Sequence, residues 1–303
     1  MISKQDIGAC GMSAATSFST NPSQNGSPAH DKNRVLLRGD EFIYLLPHPA
    51  LGAYVANYTF TFPTPGFMSD QTTILSGASA TLVMEYDAEG WHMTLLGPTT
   101  KPVLIGYDPS PIIITVDFRP AGLYVFTGIH QKELTDKSFP FGDVNPPLYK
   151  QLLEAAEKSS DLWALATAMD ALLMANMFAT CPEEIGFVMQ NIMTCAGNTS
   201  VKKLAEDVHY SQRHLNRLFN QYVGTGVKSF ARLIRMNAAC HWLQNSQHSI
   251  EAVAERAGFG DPSHFVRDFE QLCGITPTTY RNNMSVFYNE IAMSLMYAEE
   301  VHK

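Results

Sequence analysis

The chain carries the same helical pattern twice, in residues 200–224 and again in residues 249–274, and this repetition limits what the region can fold into. Apolar residues spaced i, i+3, i+4 and i+7 indicate amphipathic helices, and each copy contains two such stripes separated by a short break. Each copy therefore predicts two helices joined by a tight turn. The stripes consist of Val201, Leu204, Ala205 and Val208, then Leu215, Leu218, Phe219 and Tyr222, and in the second copy Ile250, Val253, Ala254 and Ala257, then Phe265, Phe269 and Leu272.

The residues at the ends of these stripes are typical of helix ends. Ser211 and Asp261 stand where an N-cap is needed, and Pro262 suits the first helical position. Gly224 and Gly274 stand where a helix ends in the left-handed conformation. Each copy is therefore predicted to be a helix-turn-helix.

The polar residues of the second helix in each copy determine what it can contact. Arginine can pair with guanine, and asparagine or glutamine with adenine, in the major groove. The first turns of such a helix are where base contacts are expected, and nearby Lys and Arg side chains suit phosphates. An ordinary solvated helix face is the alternative. The predicted base-reading residues are Gln212, Arg213, Asn216, Arg217, Pro262, Ser263, His264 and Arg267, and the predicted phosphate contacts are Lys202, Lys203, Lys228, Arg232 and Arg235.

The charge distribution agrees with a DNA-binding module. Residues 198–285 contain 10 Lys and Arg against 7 Asp and Glu, a net charge of +3. The whole chain has a net charge of −8, so the remainder carries −11. A basic module on an acidic chain is typical of a nucleic-acid-binding domain joined to a domain that does not bind DNA.

Residues 183–284 resemble the DNA-binding domain of AraC/XylS-type transcription regulators. The most specific stretch, residues 250–281, closes with Gly274, Pro277, Tyr280 and Arg281, similar to the family's G-x-x-P-x-x-Y-R element. Residues 204–219 match the family's first repeat, and Arg235 and Ala239 match its linking helix.

This resemblance implies seven helices, of which two enter successive major grooves on one face of DNA. Carried over by position, it implies base reading by Arg213, Asn216 and Arg217, and by Pro262, Ser263, His264 and Arg267. Two positions depart from the family. Val227 replaces a common Pro, which loosens the start of the linking helix, and His241 replaces a basic residue, which removes a phosphate contact.

The length of the chain fits two domains, and its cysteines indicate a reducing compartment. The chain has 303 residues, and its five cysteines show no C-x-x-C pair. No apolar run approaches the roughly 18 residues of a membrane span. Residues 1–33 are rich in Ser, Asn, Gly and Pro, so we expect a disordered tail and no signal peptide. A cytoplasmic protein without membrane contact is the expectation.

Short β-type runs predict that residues 34–180 form a β-rich domain, a barrel or a sandwich, with two trailing helices. The fold class is thus α+β, with the all-α helix-turn-helix domain at residues 183–284 and a C-terminal extension at residues 285–303, which we expect to pack as an added helix. The predicted strands lie within residues 59–62, 80–87, 91–97, 103–107 and 112–118, and the trailing helices within 147–160 and 161–179.

The β-rich domain is rich in aromatic residues, which line ligand pockets as well as cores. A small-molecule pocket is one interpretation, with Arg119 holding an anionic ligand; simple core packing and a structural salt bridge are the alternatives. The pocket candidates are Tyr58, Phe60, Tyr86, Trp91 and Arg119, with Phe67 and Tyr107 among the wider set of aromatics.

No pattern of residues predicts an enzyme. His92 lacks the second histidine that a metal-dependent cupin site needs, Cys10 has no partner cysteines, and no nucleophile motif or P-loop occurs. We expect no metal and no cofactor.

The sequence predicts a DNA-binding transcription regulator, an activator in our interpretation, that responds to an effector in its N-terminal domain. Double-stranded DNA, the effector, a second copy of the chain and RNA polymerase are the expected partners. The alternatives are a ligand-independent regulator whose N-terminal domain only dimerises, and an enzyme fused to a DNA-binding module.

Overall fold

The computed structural model describes residues 34–283 except 40, 64–70, 75 and 107–109. The two predicted tails, residues 1–33 and 285–303, and the aromatics Phe67 and Tyr107 lie outside the described residues.

The N-terminal half consists of two antiparallel sheets. The larger has seven strands in the order β1-β2-β3-β8-β5-β6-β9, and the smaller pairs β4 with β7. The strands are β1 (Val35–Arg38), β2 (Phe42–Leu45), β3 (Val55–Thr61), β4 (Gln71–Ile74), β5 (Thr81–Asp87), β6 (Gly90–Leu96), β7 (Val103–Gly106), β8 (Ile112–Phe118) and β9 (Ser138–Pro140).

Alternating residues give the larger sheet one apolar face. In β8, Ile112, Ile114, Val116 and Phe118 are buried in the N-terminal core, while the residues between them point to the opposite face. This alternation follows from the two-residue period of a strand. The predicted runs at residues 80–87, 91–97, 103–107 and 112–118 are confirmed as β5 to β8.

Helices cover the apolar face of this sheet. Three short helices, α1 (Tyr124–Thr127), α2 (Gln131–Leu134) and α3 (Phe141–Val144), lead into α4 (Pro146–Lys158) and α5 (Leu162–Ala175). The last two are the predicted trailing helices. Their buried leucines pack in the same core as the strands. The sheet and helices therefore bury a single core between them.

The C-terminal half is all-α, and its seven helices confirm the predicted fold class. They share one apolar core, and the long α9 contributes the largest number of residues to it. The helices are α6 (Glu183–Thr194), α7 (Val201–Asp207), α8 (Gln212–Tyr222), α9 (Val227–Asn245), α10 (Ile250–Arg256), α11 (Pro262–Cys273) and α12 (Pro277–Asn283).

A buried polar network ties the large sheet to α5. Oδ1 of Asp170 accepts hydrogen bonds from the Tyr58 hydroxyl and from the backbone N–H of His48, both at 2.9 Å. Oδ2 of Asp170 lies 2.8 Å from a guanidinium nitrogen of Arg34, and both side chains are largely buried. Burial and then the Asp170 charge raise the pKa of Tyr58, so its hydroxyl stays a donor. One carboxylate therefore accepts two hydrogen bonds and forms an ion pair with Arg34, whose Nη2 makes no hydrogen bond within the described residues.

We predict that Asp170→Asn destabilises the chain by about 3–5 kcal/mol, because it leaves the Arg34 charge buried without its counter-ion. The measurement is urea unfolding followed by far-UV circular dichroism. Glu157→Gln, the analogous change at an exposed position of α4, serves as the control and should change the stability by no more than about 0.5 kcal/mol. Equal, small effects of the two substitutions would contradict the role given to Asp170.

Candidate nucleic-acid interface

The first helix-turn-helix is formed by α7 and α8. His209, with φ +57°, makes the turn between them, and the backbone N–H of Tyr210 donates to the Ala205 carbonyl at 2.9 Å. Ser211 caps α8 by accepting from the backbone N–H of His214 at 3.2 Å. Leu215 and Phe219 are fully buried. The cap and the buried stripe together fix which face of α8 is exposed.

The second helix-turn-helix is formed by α10 and α11. Oδ1 of Asp261 caps α11 by accepting from the backbone N–H of Ser263 at 2.9 Å, and Pro262 is its first residue. Gly274, with φ +76°, ends the helix by donating to the Glu270 carbonyl. The predicted caps and stop of this helix are confirmed.

All eight predicted base-reading residues have exposed side chains. Arg217 and Arg267 occupy the same position after the cap of their respective helices, each beside the buried stripe. The two helices thus present similar polar faces. The exposed residues are Gln212, Arg213, Asn216 and Arg217 on α8 and Pro262, Ser263, His264 and Arg267 on α11.

The Asn216 side chain has a role within the protein that the sequence reading missed. Its Oδ1 accepts from the backbone N–H of Val227 at 3.2 Å, at the first turn of α9. A Cβ on Gly226 would lie 2.7 Å from the same oxygen, so the contact is tight. A proline at position 227 would have no N–H to donate. Asn216 therefore compensates for the departure at Val227, and its amide nitrogen and the second lone pair of Oδ1 remain for a base.

Contacts within α11 also orient two of its candidates. The His264 ring lies 3.8 Å from Oδ1 of Asp268 and packs edge-on against Phe259, with ring centroids 5.5 Å apart. The Nε of Arg267 donates to the Ser263 carbonyl at 3.3 Å. Both side chains stay exposed, so these contacts position them at the surface.

Three of the five predicted phosphate contacts have exposed side chains. Lys202, Lys203 and Lys228 are exposed, and only Lys202 has an acidic neighbour, at 3.9 Å from Oε1 of Glu206. Exposed ion pairs at this distance contribute little. These three lysines remain candidates for backbone contacts.

The predictions for Arg232 and Arg235 need correction, because both arginines are engaged inside the domain. The guanidinium of Arg232 donates to both carboxylate oxygens of Asp268 at 2.9 and 3.0 Å, and to Gln271 at 2.6 Å. The guanidinium carbon of Arg235 lies 5.4 Å from the centroid of the Phe259 ring. The Nε of Arg235 is buried without a hydrogen-bond partner among the described residues. Both side chains fasten α9 to the second helix-turn-helix, although each keeps part of its surface in solvent.

His241, the second departure from the family, is half-buried in α9. Burial, and next the charge of Arg256, lower the pKa of His241, which favours the neutral ring. Arg256 itself lies 4.7 Å over the Trp242 ring. The absence of a positive charge at this position agrees with the sequence reading.

Three of the predicted pocket residues are core residues. Tyr58 and Phe60 are fully buried and Trp91 nearly so, all within the N-terminal core, and the Tyr58 hydroxyl is bonded to Asp170. The Tyr86 ring packs against the Trp91 ring, with centroids 5.2 Å apart, and Arg119 is half-buried just after β8. The pocket interpretation is therefore corrected for Tyr58, Phe60 and Trp91, whose surfaces are occupied by packing.

A polar cluster on the opposite face of the large sheet escaped the sequence reading. Asp117 of β8 pairs across the strands with Asn57 of β3 and Thr81 of β5. Its carboxylate accepts from Asn57 at 2.9 Å, Thr81 at 2.8 Å and Thr115 at 3.1 Å. Burial raises the pKa of Asp117 although these bonds oppose it. Oδ1 of Asn57 is buried without a partner among the described residues.

In the part of the chain that the structure describes, no three His, Cys, Asp or Glu side chains are grouped so as to hold a metal ion. No helix among those residues has the length and apolar character needed to cross a membrane.

Comparison with known proteins identifies the helical half. A sequence family described as a helix-turn-helix domain matches residues 204–283, which span α8 to α12 and most of α7. A regulator of Rhizobium meliloti, the HTH-type transcriptional regulator GlxA, is 42% identical over 71 residues, 23% of this chain and 22% of that protein. The uncharacterized HTH-type transcriptional regulator YisR of Bacillus subtilis is 31% identical over 87 residues, 29% of this chain and 30% of that protein. Residues 204–283 therefore form a helix-turn-helix domain, which supports the resemblance to AraC/XylS-type regulators.

Two further matches complete the comparison. A solved structure of a transcriptional regulator with an AraC-type DNA-binding domain, from Chromobacterium violaceum, is 28% identical and covers 33% of this chain and 89% of that one, with a TM-score of 0.32. Residues 44–140 match a domain of unknown function, DUF6597. The chain spans less than a third of the length of GlxA and of YisR.

For this AraC/XylS-type domain we predict that Asn216→Ala costs about 1 kcal/mol of stability, the usual contribution of a side chain that caps a helix start. In a Val227→Pro background the N–H is absent, so the same substitution should cost almost nothing. Urea unfolding of the wild type, both single variants and the double variant gives the coupling energy. An equal cost of Asn216→Ala in both backgrounds would contradict the assigned contact.

Proposed function

We propose that this chain is a sequence-specific DNA-binding transcription regulator. One observation carries the proposal. Two capped helices each present an exposed N-terminal turn and an arginine at the same position, Arg217 or Arg267, while their opposite faces are buried in one core. The similarity of the helical half to AraC/XylS-type regulators supports the same conclusion.

The proposed binding mode follows from helix and groove dimensions. The major groove is about 12 Å wide and admits one α-helix, and successive grooves on one face of DNA are about 34 Å apart. We infer that α8 and α11 occupy two such grooves, so the site spans about two helical turns. Exposed Lys202, Lys203 and Lys228 are suited to the flanking phosphates.

We predict that Arg217→Ala or Arg267→Ala weakens binding to the cognate site by about 1–3 kcal/mol and relaxes the preference at one base position, because a bidentate arginine–guanine pair is lost. The site is first selected from random duplexes with the purified chain. Affinities are then measured by fluorescence anisotropy at fixed salt on this site and on its single-base variants.

Two control variants make the result specific. Lys203→Ala should weaken binding to all sequences alike and lower the salt dependence. Lys150→Ala, at an exposed position of α4, should change nothing. Uniform weakening by Arg217→Ala and Arg267→Ala would make both arginines phosphate contacts, and failure to select any sequence would refute the proposed function.

We further propose that a small molecule bound to the N-terminal half controls the activity of the chain. The polar cluster around Asp117 is the best-supported location. Buried polar groups cost free energy unless they are paired, and Asn57 keeps an unpaired Oδ1 beside this cluster. Asn57 is fully buried, so a ligand with hydroxyl or amide donors would satisfy that oxygen once the cluster opens to admit it.

We predict that such an effector raises the melting temperature of the wild type in a thermal-shift screen of sugars, polyols and small amides. An effector at 100 times its Kd stabilises a folded chain by about 2.7 kcal/mol. Asn57→Ala should remove the shift, whereas Ser159→Ala, within α4's C-terminal turn, should keep it. A shift that survives Asn57→Ala would place the ligand elsewhere, and no shift across the panel would favour an N-terminal half that only dimerises.

Homodimerisation through the N-terminal half and contact with RNA polymerase remain part of the proposal. Two copies of the chain would double the number of base-reading helices and raise the affinity for an extended site by about 100-fold or more, because the second half-site is bound intramolecularly. Sedimentation of the free chain over a range of concentrations tests for homodimerisation.

A further inference from the structure

The two recognition helices, α8 and α11, carry a histidine at the same position. His214 and His264 are each the third residue of their helix. Each ring packs edge-on against an aromatic ring that precedes the helix. The centroids are 4.7 Å apart for His214 and Tyr210, and 5.5 Å apart for His264 and Phe259. The two copies therefore support this histidine in similar ways.

The two helices differ one turn after the histidine. Leu218 follows His214 by four residues and is buried in the core, and α8 contains no acidic residue. Asp268 follows His264 by four residues, and residues four apart share one face of a helix. Nε2 of His264 lies 3.8 Å from Oδ1 of Asp268. Only α11 therefore has a carboxylate one turn after its histidine.

The Asp268 carboxylate is held in place from α9. Nε of Arg232 donates to Oδ2 at 2.9 Å, and Nη2 donates to Oδ1 at 3.0 Å and to Oε1 of Gln271 at 2.6 Å. A bidentate arginine fixes both the place and the plane of a carboxylate. Arg232 also neutralises the charge of Asp268. The carboxylate therefore acts on His264 mainly as a hydrogen-bond acceptor.

The His264 ring has one nitrogen near Asp268 and one that is available to DNA. Its side chain is 61% exposed, and the 3.8 Å separation is about 0.9 Å longer than an ordinary N–H···O hydrogen bond, so a small rotation closes it. When Nε2 donates to Asp268, Nδ1 of the neutral ring carries no proton. Nδ1 makes no hydrogen bond to the described residues, so His264 offers DNA an acceptor.

An acceptor distinguishes the bases in the major groove. Adenine N6 and cytosine N4 are donors there, whereas guanine presents N7 and O6 as acceptors and thymine presents O4 and a methyl group. A ring held with Nδ1 unprotonated therefore pairs with an amino group and is rejected by guanine. His214 has no carboxylate one turn later, so this constraint is absent from α8.

We propose that Asp268 is a positioning residue that determines the base specificity of α11. It holds His264 as an acceptor, so that α11 selects a base with an exocyclic amino group, adenine or cytosine, at the position that His264 contacts. This inference rests on the proposed function and deepens it. A purely structural Asp268 would fasten α11 to α9 and leave the tautomer of His264 unchanged.

Side-chain ¹⁵N NMR of the histidine-labelled, full-length chain tests the tautomer without DNA, at about pH 8, which favours neutral rings. His264→Gln assigns the signals. The wild type should show His264 protonated on Nε2 alone. Asp268→Leu, which gives α11 the residue type of α8, should show both tautomers, and Asp268→Glu, which keeps a carboxylate, should retain one. A wild-type ring protonated on Nδ1, or identical spectra with Asp268→Leu, would overturn the inference.

Selection from random duplexes tests the base preference at the same pH. His264→Ala identifies the position, because its preference is lost there. At this position the wild type and Asp268→Glu should favour adenine or cytosine over guanine by about tenfold, the contribution of a hydrogen bond to a charged group. Asp268→Leu should bring the bases close to equality there. It should leave the preference that depends on Arg217 of α8 unchanged, which controls for general loosening.

The outcomes separate this inference from the proposed function. A wild-type preference for guanine or thymine at this position, an unchanged preference in Asp268→Leu, or no position that depends on His264 would overturn the role of Asp268 and leave the proposed function standing. The wild-type spectrum and selection decide this even if a variant folds poorly. Failure of the wild type to select any sequence would refute the proposed function, and base selection by α11 with it.

Discussion

Both helix-turn-helix units are built against one helix, α9, and the C-terminal half depends on that shared support. Phe230, Ile234 and Leu243 of α9 are buried in a single apolar cluster with residues of α8 and α11. Phe230 packs edge-on against Phe219 of α8, and Arg232 donates two hydrogen bonds to the Asp268 carboxylate of α11. A continuous core therefore sets the spacing of the two recognition helices, whereas a linker between separate units would leave that spacing open.

The elements that the sequence predicts well are those whose pattern is local. Helices α8 and α11 follow from apolar spacing and from caps within a few residues of each other, and the seven-residue strands β5, β6 and β8 follow from alternation. Although β7, equally short, lies in a predicted run, the short strands β1, β2, β4 and β9 lie outside the predicted runs, because three or four residues are too few to establish a period. Their partners in the sheet, rather than their own composition, make them strands.

The exposed face of each recognition helix follows from the same periodicity, but the partners of individual side chains do not. Asn216 and Val227 meet only because α9 turns back along α8, and Arg232 reaches Asp268 across 36 residues of chain. The aromatic residues of the N-terminal half carry the same ambiguity. Tyr58 is of a residue type that suits a ligand pocket as well as a core. Only the packing of the helices over the sheet shows that it is a core residue.

Gly224 shows how a position can be constrained twice. Its left-handed backbone lets the chain reverse after α8, and in most proteins an asparagine can also adopt such a conformation. Here the first carbon of any side chain would collide with a hydroxyl from the other half of the chain. Asparagine is therefore disfavoured both by the local backbone and by a distant neighbour, and the tolerance of this turn to substitution reports on how the two halves are assembled.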